Sequence, residues 1–493
     1  MKKTHRPEIM LVTPPYHSGV VESAGSWLPL GLLYVGGALQ RAGYGVALYD
    51  AMTRFDTLEQ VRETLRRERP DAVFVSCITA TVVDGIEVCR VAKEERPDTL
   101  TVIGNTHPTF MYDEILRAHP EVDIIVCGEG ELTAVELIEA WKSGTSLHSV
   151  AGIAFRDGDQ IVLTPARPFI TDLDSLTPAW NLVPWKEYSY RAKPGSTLAV
   201  VSSSRGCKQH CSFCSQRLFW QESWRAHSPK HFVDELEMLR DQYGVNVVML
   251  ADEIPTLDPV RWRAILDMLI ERNLGTALLL ETRVDDILRD EEILPLYRKA
   301  GVEHIYVGVE ATNQKTLDLF KKDAKVEQGR KAIQLINQNQ MVSETSFVMG
   351  MPDETLEDMQ NTIELAKFYD PDMAFFLAIT PWPYADLYKD VKDHITVFDY
   401  RKYNLVEPVI KPLSMTLEEV HAQLFRGFRE FYMDKMKRIK TMPPWKQDFM
   451  KILMKLLMEH SYLKDQMKGM GHPGMDGAPA DSTGRGHGTM GNG

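Results

Sequence analysis

The first 145 residues alternate short apolar runs with amphipathic stretches. Five apolar runs predict parallel strands: IMLVTPP, YGVALYDA, DAVFVSCIT, LTVIGNT and DIIVCGEGE. Segments with helical spacing of apolar residues, such as PLGLLYVGGALQRAGY and TLEQVRETLRRER, lie between them. Continuous apolar strands separated by amphipathic helices predict a doubly wound α/β domain over residues 9–145. Its ligand site is expected at the carboxyl ends of the strands.

Residues 146–198 lose this alternation, and they predict a hairpin turned at Asp157 and Gly158 followed by a linker without a clear period. A second series of strands and helices fills residues 199–385. Its strands are predicted from LAVVSSSRGC, VNVVMLADE, ALLLETRVD, HIYVGVEAT, SETSFVMGMP and MAFFLAITPWP. This spacing predicts a partial parallel barrel of the (β/α)6 type, with its site at the strand tips.

The C-terminal part is predicted to be helical over residues 386–465, where amphipathic segments such as LEEVHAQLFRGFREFYMDKMKRI would cap a substrate cavity. Residues 466–493 are rich in Gly, Met and His and have no period, so they predict a disordered tail. The two histidines of this tail, His472 and His487, are not expected to form a metal site.

Composition narrows the class of protein. The 493 residues carry a net charge of −13 and a pI of about 5.6, which argues against a general nucleic-acid binder. No apolar run approaches the roughly 20 residues that cross a bilayer, and the N-terminus lacks the features of a signal peptide. We therefore expect a cytoplasmic protein without a transmembrane segment, in which clustered cysteines bind metal rather than form disulfides.

The segment SSSRGCKQHCSFCSQ places Cys207, Cys211 and Cys214 in a CxxxCxxC arrangement directly after an apolar strand. Thiolates at this spacing suit a [4Fe–4S] cluster, and three ligands leave its fourth iron open. An open iron can bind the amino and carboxylate groups of S-adenosylmethionine, whose reductive cleavage releases a deoxyadenosyl radical. The alternative is a zinc site, which would need a fourth ligand such as His210.

This motif, with Phe213 before the last cysteine, resembles that of the radical S-adenosylmethionine (radical SAM) superfamily. The resemblance implies that Phe213 lies near the adenine and that a strand-end acid contacts the methionine amino group. The segment MLADE makes Asp252 and Glu253 the candidates, although it departs from the usual glycine-rich form. Arg283 and Glu310, at later strand ends, are further candidates for cofactor contact. Such charges equally form structural salt bridges.

Two N-terminal segments, GNTHPTF at 104–110 and CGEGE at 127–131, resemble the strand-end loops of the cobalamin-binding domain in a subfamily of radical enzymes. Glycines there allow a bulky corrin to approach the backbone. The candidate contacts are Gly104, His107, Gly128 and Gly130. The DxHxxG signature is absent, so cobalamin would bind without that histidine on cobalt. The alternative is a degenerate domain that no longer binds cobalamin.

Further motifs extend the resemblance along most of the chain, among them YHSG, YDAMT, HPTFMY, LADEIPT, TPWP and FDYRKYNLVEPVIKP. With them the sequence is similar to the family of anaerobic magnesium-protoporphyrin IX monomethyl ester oxidative cyclases. The resemblance implies an oxidoreductase of bacteriochlorophyll biosynthesis that closes the fifth ring of protochlorophyllide with oxygen from water. Reduction of its cluster would need an electron donor such as flavodoxin or ferredoxin. Candidate aromatic walls for the porphyrin are Phe219, Trp220, Trp382, Tyr384 and Tyr403, which equally suit interdomain packing.

Two other functions stay open on the sequence. A cobalamin-dependent radical SAM methyltransferase, acting on a tetrapyrrole or another unactivated carbon, would share both domains. A cobalamin- or redox-sensing module would bind the same cofactors without catalysis.

Overall fold

The computed structural model describes residues 6–18 and 25–460. Its first sheet has seven strands in the order β2-β1-β3-β4-β5-β6-β7. Their bounds are β1 Ile9–Thr13, β2 Val46–Asp50, β3 Ala72–Ser76, β4 Leu100–Gly104, β5 Ile124–Val126, β6 Ile153–Asp157 and β7 Gln160–Leu163. The first five strands are parallel, as the apolar runs predict. The predicted hairpin is β6–β7, and it pairs antiparallel with β5, so residues 153–163 extend the first sheet.

Helices cover both faces of this sheet. They are α1 Leu30–Arg41, α2 Ala51–Arg54, α3 Leu58–Glu68, α4 Val82–Glu95, α5 Thr106–Ala118 and α6 Glu131–Ser143. Successive strand residues point to opposite faces, so Leu11 packs in one core cluster and Val12 in another. Burial of both faces explains why these strands are continuously apolar.

The second sheet has six parallel strands that follow one another in chain order, as a partial barrel does. They are β8 Leu198–Val201, β11 Val247–Leu250, β12 Ala277–Arg283, β13 Val302–Gly308, β14 Val342–Met349 and β15 Met373–Ala378. A short antiparallel pair, β9 Ser204–Gly206 and β10 Trp224–Ala226, flanks the cysteine segment. The intervening helices are α7 Ser215–Phe219, α8 Pro229–Tyr243, α9 Pro259–Arg272, α10 Val284–Arg289, α11 Leu294–Lys299, α12 Gln314–Leu319, α13 Val326–Gln338 and α14 Leu356–Tyr369. The predicted partial barrel is confirmed.

The C-terminal region is helical, as predicted. Its helices are α15 Asp386–Val391, α16 Leu417–Arg438 and α17 Pro444–His460. Helix α16 packs against β15, and a Cβ atom added at Gly427 would lie only 2.7 Å from the ring of Phe376. The last strand of the partial barrel is therefore covered by α16.

The predictions for the tail at 466–493, including His472 and His487, concern residues outside the described ranges. Within those ranges, no helix combines the length and apolarity that a membrane crossing requires.

Helix α1 packs closely against the segment that joins the two sheets, and Gly37 lies at this contact. A Cβ atom at this position would lie 1.9 Å from the backbone oxygen of Thr177, and backbone cannot rotate away. We expect Gly37→Ala to lower the free energy of unfolding by about 1–3 kcal/mol, measured by urea denaturation. The matched control is Gly31→Ala in the same helix, where the added methyl group meets nothing within 4 Å. Equal effects of the two substitutions would contradict this packing.

Candidate functional site

The three predicted cysteine ligands lie in one loop at the mouth of the barrel, between β9 and α7. Cys214 is the residue that precedes the first turn of α7, and the backbone N–H groups of Gln216 and Arg217 in that turn act to lower the pKa of its thiol. The N–H group of Gln209 donates to the sulfur of Cys207 at 3.4 Å. Backbone N–H groups near a sulfur atom stabilise its negative charge, which suits a loop that holds thiolates.

Burial opposes ionisation of the free thiols. It raises the pKa of Cys207, and it raises the pKa of Cys214 to about 11. Metal coordination deprotonates a cysteine outright, so the ligand state of this loop depends on the bound metal. The guanidinium of Arg283, at the end of β12, lies close enough to interact electrostatically with Cys207 and Cys211.

The geometry favours a cluster over a single zinc ion. Tetrahedral zinc would bring the three sulfur atoms to about 3.8 Å from one another. In this structure they do not all lie within 4.8 Å. His210, the candidate fourth ligand, has a side chain that is 63% exposed, and its Nδ1 lies 3.4 Å from a carboxylate oxygen of Glu222. The three-thiolate donor set therefore fits a larger iron–sulfur cluster.

Neighbouring segments hold the cysteine loop on its outer side. The N–H of Ser212 donates to the carbonyl of Phe320 at 2.9 Å, and the N–H of Leu387 donates to the carbonyl of Ser212 at 2.9 Å. Phe213 packs its ring on that of Phe320, with 4.8 Å between ring centroids. Arg217 forms an ion pair with Asp386, at the start of α15. Contacts from both the barrel and the C-terminal region therefore fix the position of the cysteine loop.

The two acids of MLADE have different surroundings. Asp252 is 2% exposed, and its carboxylate accepts hydrogen bonds from the Ser203 N–H at 2.7 Å and from the hydroxyls of Ser203 and Ser204. Both carboxylate oxygens of Asp252 therefore already accept hydrogen bonds from protein groups. Glu253 lines an interdomain cavity and accepts from the Gly206 N–H at 2.8 Å and from Trp220 Nε1 at 2.6 Å. Of the two, Glu253 is the one that can meet a ligand.

The other strand-end candidates lie at the same end of the barrel. Arg283 is 8% exposed, and its Nε donates to Asp285 at 2.8 Å. Glu310 has a left-handed backbone with φ of 64°. Its carboxylate accepts from Lys322 Nζ at 2.8 Å and from the Ser346 hydroxyl at 3.3 Å. Both side chains therefore have protein partners, and Arg283 also lies near the cysteine loop.

The cavity between the first sheet and the barrel has a volume of about 350 Å³. The predicted glycines Gly104, Gly128 and Gly130 all line it. Gly128 has a φ of 84°, and a Cβ atom at Gly130 would lie 3.0 Å from a methyl group of Val35. Side chains at these positions would strain the backbone or fill the cavity. An apolar slot with glycine walls at the strand ends fits one part of a corrin cofactor.

His107 is placed away from this cavity. Its imidazole is 1% exposed, contacts the Thr79 hydroxyl at 3.1 Å and packs edge-on against Tyr384 and Tyr400. Burial lowers the pKa of His107 to about 4, so the ring is neutral at physiological pH.

Asn105, which was not among the predicted contacts, lines the cavity in place of His107. It has a φ of 87°, and residue type alone gives no signal for that conformation.

The candidate aromatic walls are divided between two places. Phe219 and Trp220 line the interdomain cavity. Tyr384 stacks on Phe110 of the first domain at 4.7 Å and pairs with the Thr79 hydroxyl. Tyr403 is 2% exposed in an apolar cluster against which Trp382 packs. The latter group of three belongs to interdomain and core packing, which was the alternative interpretation.

A buried ion network joins the first domain to the cysteine segment. Arg205, two residues before Cys207, donates to Glu129 at 2.8 Å and to Glu131 at 2.7 Å. Arg225 donates to the same Glu129 at 3.0 Å. The side chains of Arg205 and its two acids are all at most 9% exposed. The CGEGE segment therefore supplies both cavity glycines and the acids that hold the cluster loop.

Several polar residues inside the barrel were not among the predicted site residues. They are Glu281 on β12, His304 and Tyr306 on β13, and Glu344 on β14. The available signal was a polar residue at an inward-facing position of an otherwise apolar strand, as in ALLLETR.

The comparisons with known proteins agree with this architecture. Residues 16–138 match the model of the B12 binding domain, and residues 201–366 match that of the Radical SAM superfamily. The chain is thus a radical SAM protein with a B12 binding domain. The methyltransferase TsrM from Kitasatospora setae has a similar fold, with a TM-score of 0.65 at 19% identity over 84% of this chain and 83% of that chain.

Curated relatives narrow the family. The anaerobic magnesium-protoporphyrin IX monomethyl ester cyclase of Rubrivivax gelatinosus is 40% identical over 87% of this chain and 78% of the relative. The protein of the same name from Synechocystis is 36% identical over 83% of this chain and 82% of the relative. The chain belongs to the family of anaerobic magnesium-protoporphyrin IX monomethyl ester cyclases.

The ligand assignment predicts that Cys207→Ala, Cys211→Ala or Cys214→Ala prevents assembly of the cluster. Iron and sulfide content after anaerobic reconstitution should fall to background in each variant, because two thiolates do not retain the cluster. Cys127→Ala, which removes a cysteine outside the loop, is the control and should keep full iron content. Unchanged iron in any of the three loop variants would refute that ligand.

The ion network predicts a large loss of stability in Arg205→Ala, because Glu131 stays buried without a partner. We expect the free energy of unfolding to fall by about 3–5 kcal/mol, measured by urea denaturation. Arg240→Ala, which breaks ion pairs on the surface of α8, should change it little. Similar losses in the two variants would show that the buried network does not hold the domains together.

Proposed function

We propose that this enzyme oxidises the methyl-esterified propionate of magnesium-protoporphyrin IX monomethyl ester and closes the fifth ring of protochlorophyllide, with oxygen taken from water. The observation that carries the proposal is a three-thiolate loop at the mouth of a barrel with a polar interior, in a chain of the cyclase family. A carbon–hydrogen bond beside an ester resists ordinary bases, so removal of a hydrogen atom by a radical is a reasonable opening step without dioxygen.

The cofactors of this chemistry are a [4Fe–4S] cluster, S-adenosylmethionine and cobalamin, in line with the two matched domains. When bound, the cluster and S-adenosylmethionine together supply a primary carbon radical. In our proposal Cys207, Cys211 and Cys214 hold the cluster and leave one iron open. Glu253, Arg283 and Glu310 orient the sulfonium compound from the strand ends. Phe213 lies beside its adenine.

The first domain would hold cobalamin against the barrel mouth. Gly104, Gly128 and Gly130 give the backbone approach that a corrin needs, and Asn105 takes the place that His107 was expected to occupy. Phe219 and Trp220, between cavity and cluster loop, are positioned to cover a flat apolar ligand. We further propose that the enzyme works in the cytoplasm and receives electrons from a flavodoxin or ferredoxin.

The second candidate is a cobalamin-dependent radical methyltransferase acting on a tetrapyrrole or another unactivated carbon. The observation in its favour is the fold, which is similar to that of a radical SAM methyltransferase. The two candidates differ in product: a methyltransferase adds methyl groups taken from S-adenosylmethionine, whereas the cyclase adds one oxygen and removes hydrogen.

Product mass separates them. We expect the reconstituted enzyme, reduced under anaerobic conditions with S-adenosylmethionine and the magnesium porphyrin ester, to give a ring-closed oxo product. In water enriched in heavy oxygen, mass spectrometry should find the label in that product. Omitting cobalamin from parallel reactions tests whether the corrin takes part. A product that gains methyl groups and no oxygen would refute the cyclase and support the methyltransferase.

A further inference from the structure

The inner wall of the barrel carries a carboxylate that the cofactor sites do not use. On β12, Ala277 and Leu279 belong to a small cluster inside the barrel with Leu198 and Val247. Alternation along the strand therefore turns Glu281 inward as well. Glu281 is exposed to this interior, and its carboxylate has no hydrogen bond or ion pair with any described residue.

Titratable groups on several strands of the barrel lie around Glu281. Glu253 follows β11, Glu310 and Tyr306 belong to the β13 side, Glu344 lies on β14, and Arg283 is two residues further along β12. Burial, and then the charges of Glu344, Glu253 and Glu310, raise the pKa of Glu281 to about 7. A carboxyl group with such a pKa exchanges protons readily at physiological pH.

A line of polar groups leads from these acids to the opposite end of the barrel. His304 Nε2 lies 2.6 Å from a carboxylate oxygen of Glu344, and His304 Nδ1 lies 2.9 Å from the Tyr190 hydroxyl. His304 is 7% exposed, and its buried Nε2 lies close to this acid without forming a hydrogen bond to any described residue. Tyr190 in turn lines an open surface cavity together with Lys193 and Lys455.

We propose that Glu281 is the catalytic base that takes a proton from the attacking water, and that Glu344, His304 and Tyr190 relay this proton to the surface cavity. The inference rests on the proposed function, which delivers an oxidised, electrophilic carbon to the barrel interior. A lone pair of water forms the carbon–oxygen bond. One O–H bond of the water breaks, its electron pair stays on oxygen, and its proton bonds to the Glu281 carboxylate. This step itself transfers no electrons to or from a cofactor.

The proposed relay leads away from the end of the barrel at which the cofactors and the substrate would bind. Cofactors and substrate would fill the end of the barrel at which the cysteine loop lies, so a proton released inside cannot leave there. The polar line from Glu344 to Tyr190 runs toward the other end. Neutral histidine can accept a proton on one nitrogen while it gives one up from the other, as a relay requires.

Glu281→Gln tests the base because it keeps size and removes the proton acceptor. We expect the variant to keep its iron content and to form deoxyadenosine, but to make the oxo product about 10²–10⁴-fold more slowly. Glu281→Asp should recover part of the rate. Glu357→Gln, on the exposed face of α14, is the matched control and should behave as the wild type. Oxo product at the wild-type rate in Glu281→Gln would overturn the assignment.

The pH profile gives a second readout. A base acts in its deprotonated form, so wild-type product formation should rise as pH increases through about 7 and level off above it. Glu281→Gln should lose this rise. His304→Ala should slow product formation, and added imidazole should restore it through the surface cavity. A slow His304→Ala with no rescue and a wild-type pH profile would show that His304 is only structural.

A measurement without turnover separates this inference from the proposed function. Infrared difference spectra of wild type minus Glu281→Gln should reveal one carboxyl group that titrates near neutral pH. If the wild type makes no ring-closed product, the proposed function fails whatever the spectra show. If no such carboxyl titrates, the base assignment fails even in an enzyme that closes the ring.

Discussion

The buried guanidinium of Arg205 fixes the relation between the two halves of the site. It pairs with Glu129 and Glu131, which lie in the strand-end segment that also lines the interdomain cavity. Two residues later along the chain, Cys207 begins the cysteine loop. Because a guanidinium fork engages two carboxylates at fixed angles, this contact sets distance and orientation together. The cluster loop and the proposed corrin cavity consequently face one another.

The cysteine loop itself has little internal structure, and its shape comes from its surroundings. Backbone carbonyls of Leu319 and Phe320 accept from Ser212, while Leu387 donates back to it. Burial disfavours ionised thiols in the absence of metal, whereas Arg283 and the first turn of α7 favour them. Cluster binding and order in this loop are therefore linked: the metal keeps the cysteine ligands ionised, and the neighbouring segments fix their positions.

Much of this architecture is predictable because its causes are local. Doubly covered parallel strands are apolar throughout, so the strands of both sheets are visible in the sequence. Cysteine spacing and the chemistry of thiolates predict the cluster. The addition of β6 and β7 to the first sheet was not predictable, because the pairing of Ile153 with Val126 is a tertiary contact. His107 was misplaced for a related reason: helix α5 begins at Thr106, which turns the imidazole into the interface and leaves Asn105 at the cavity.

Glu281 and Glu344 were missed because both lie within strands, whereas the predicted acid Asp252 follows a strand. The surroundings of Asp252 and Glu281 distinguish two roles. Asp252 is buried and accepts three hydrogen bonds from Ser203 and Ser204, which is how a structural carboxylate is accommodated. Glu281 has acidic neighbours and no donor among the described residues. Placing a carboxyl group there costs stability that an apolar residue would not. A fold that needed only packing would fill the position with leucine, as it does at Leu279, so the acid is better explained by the chemistry of the barrel interior than by its stability.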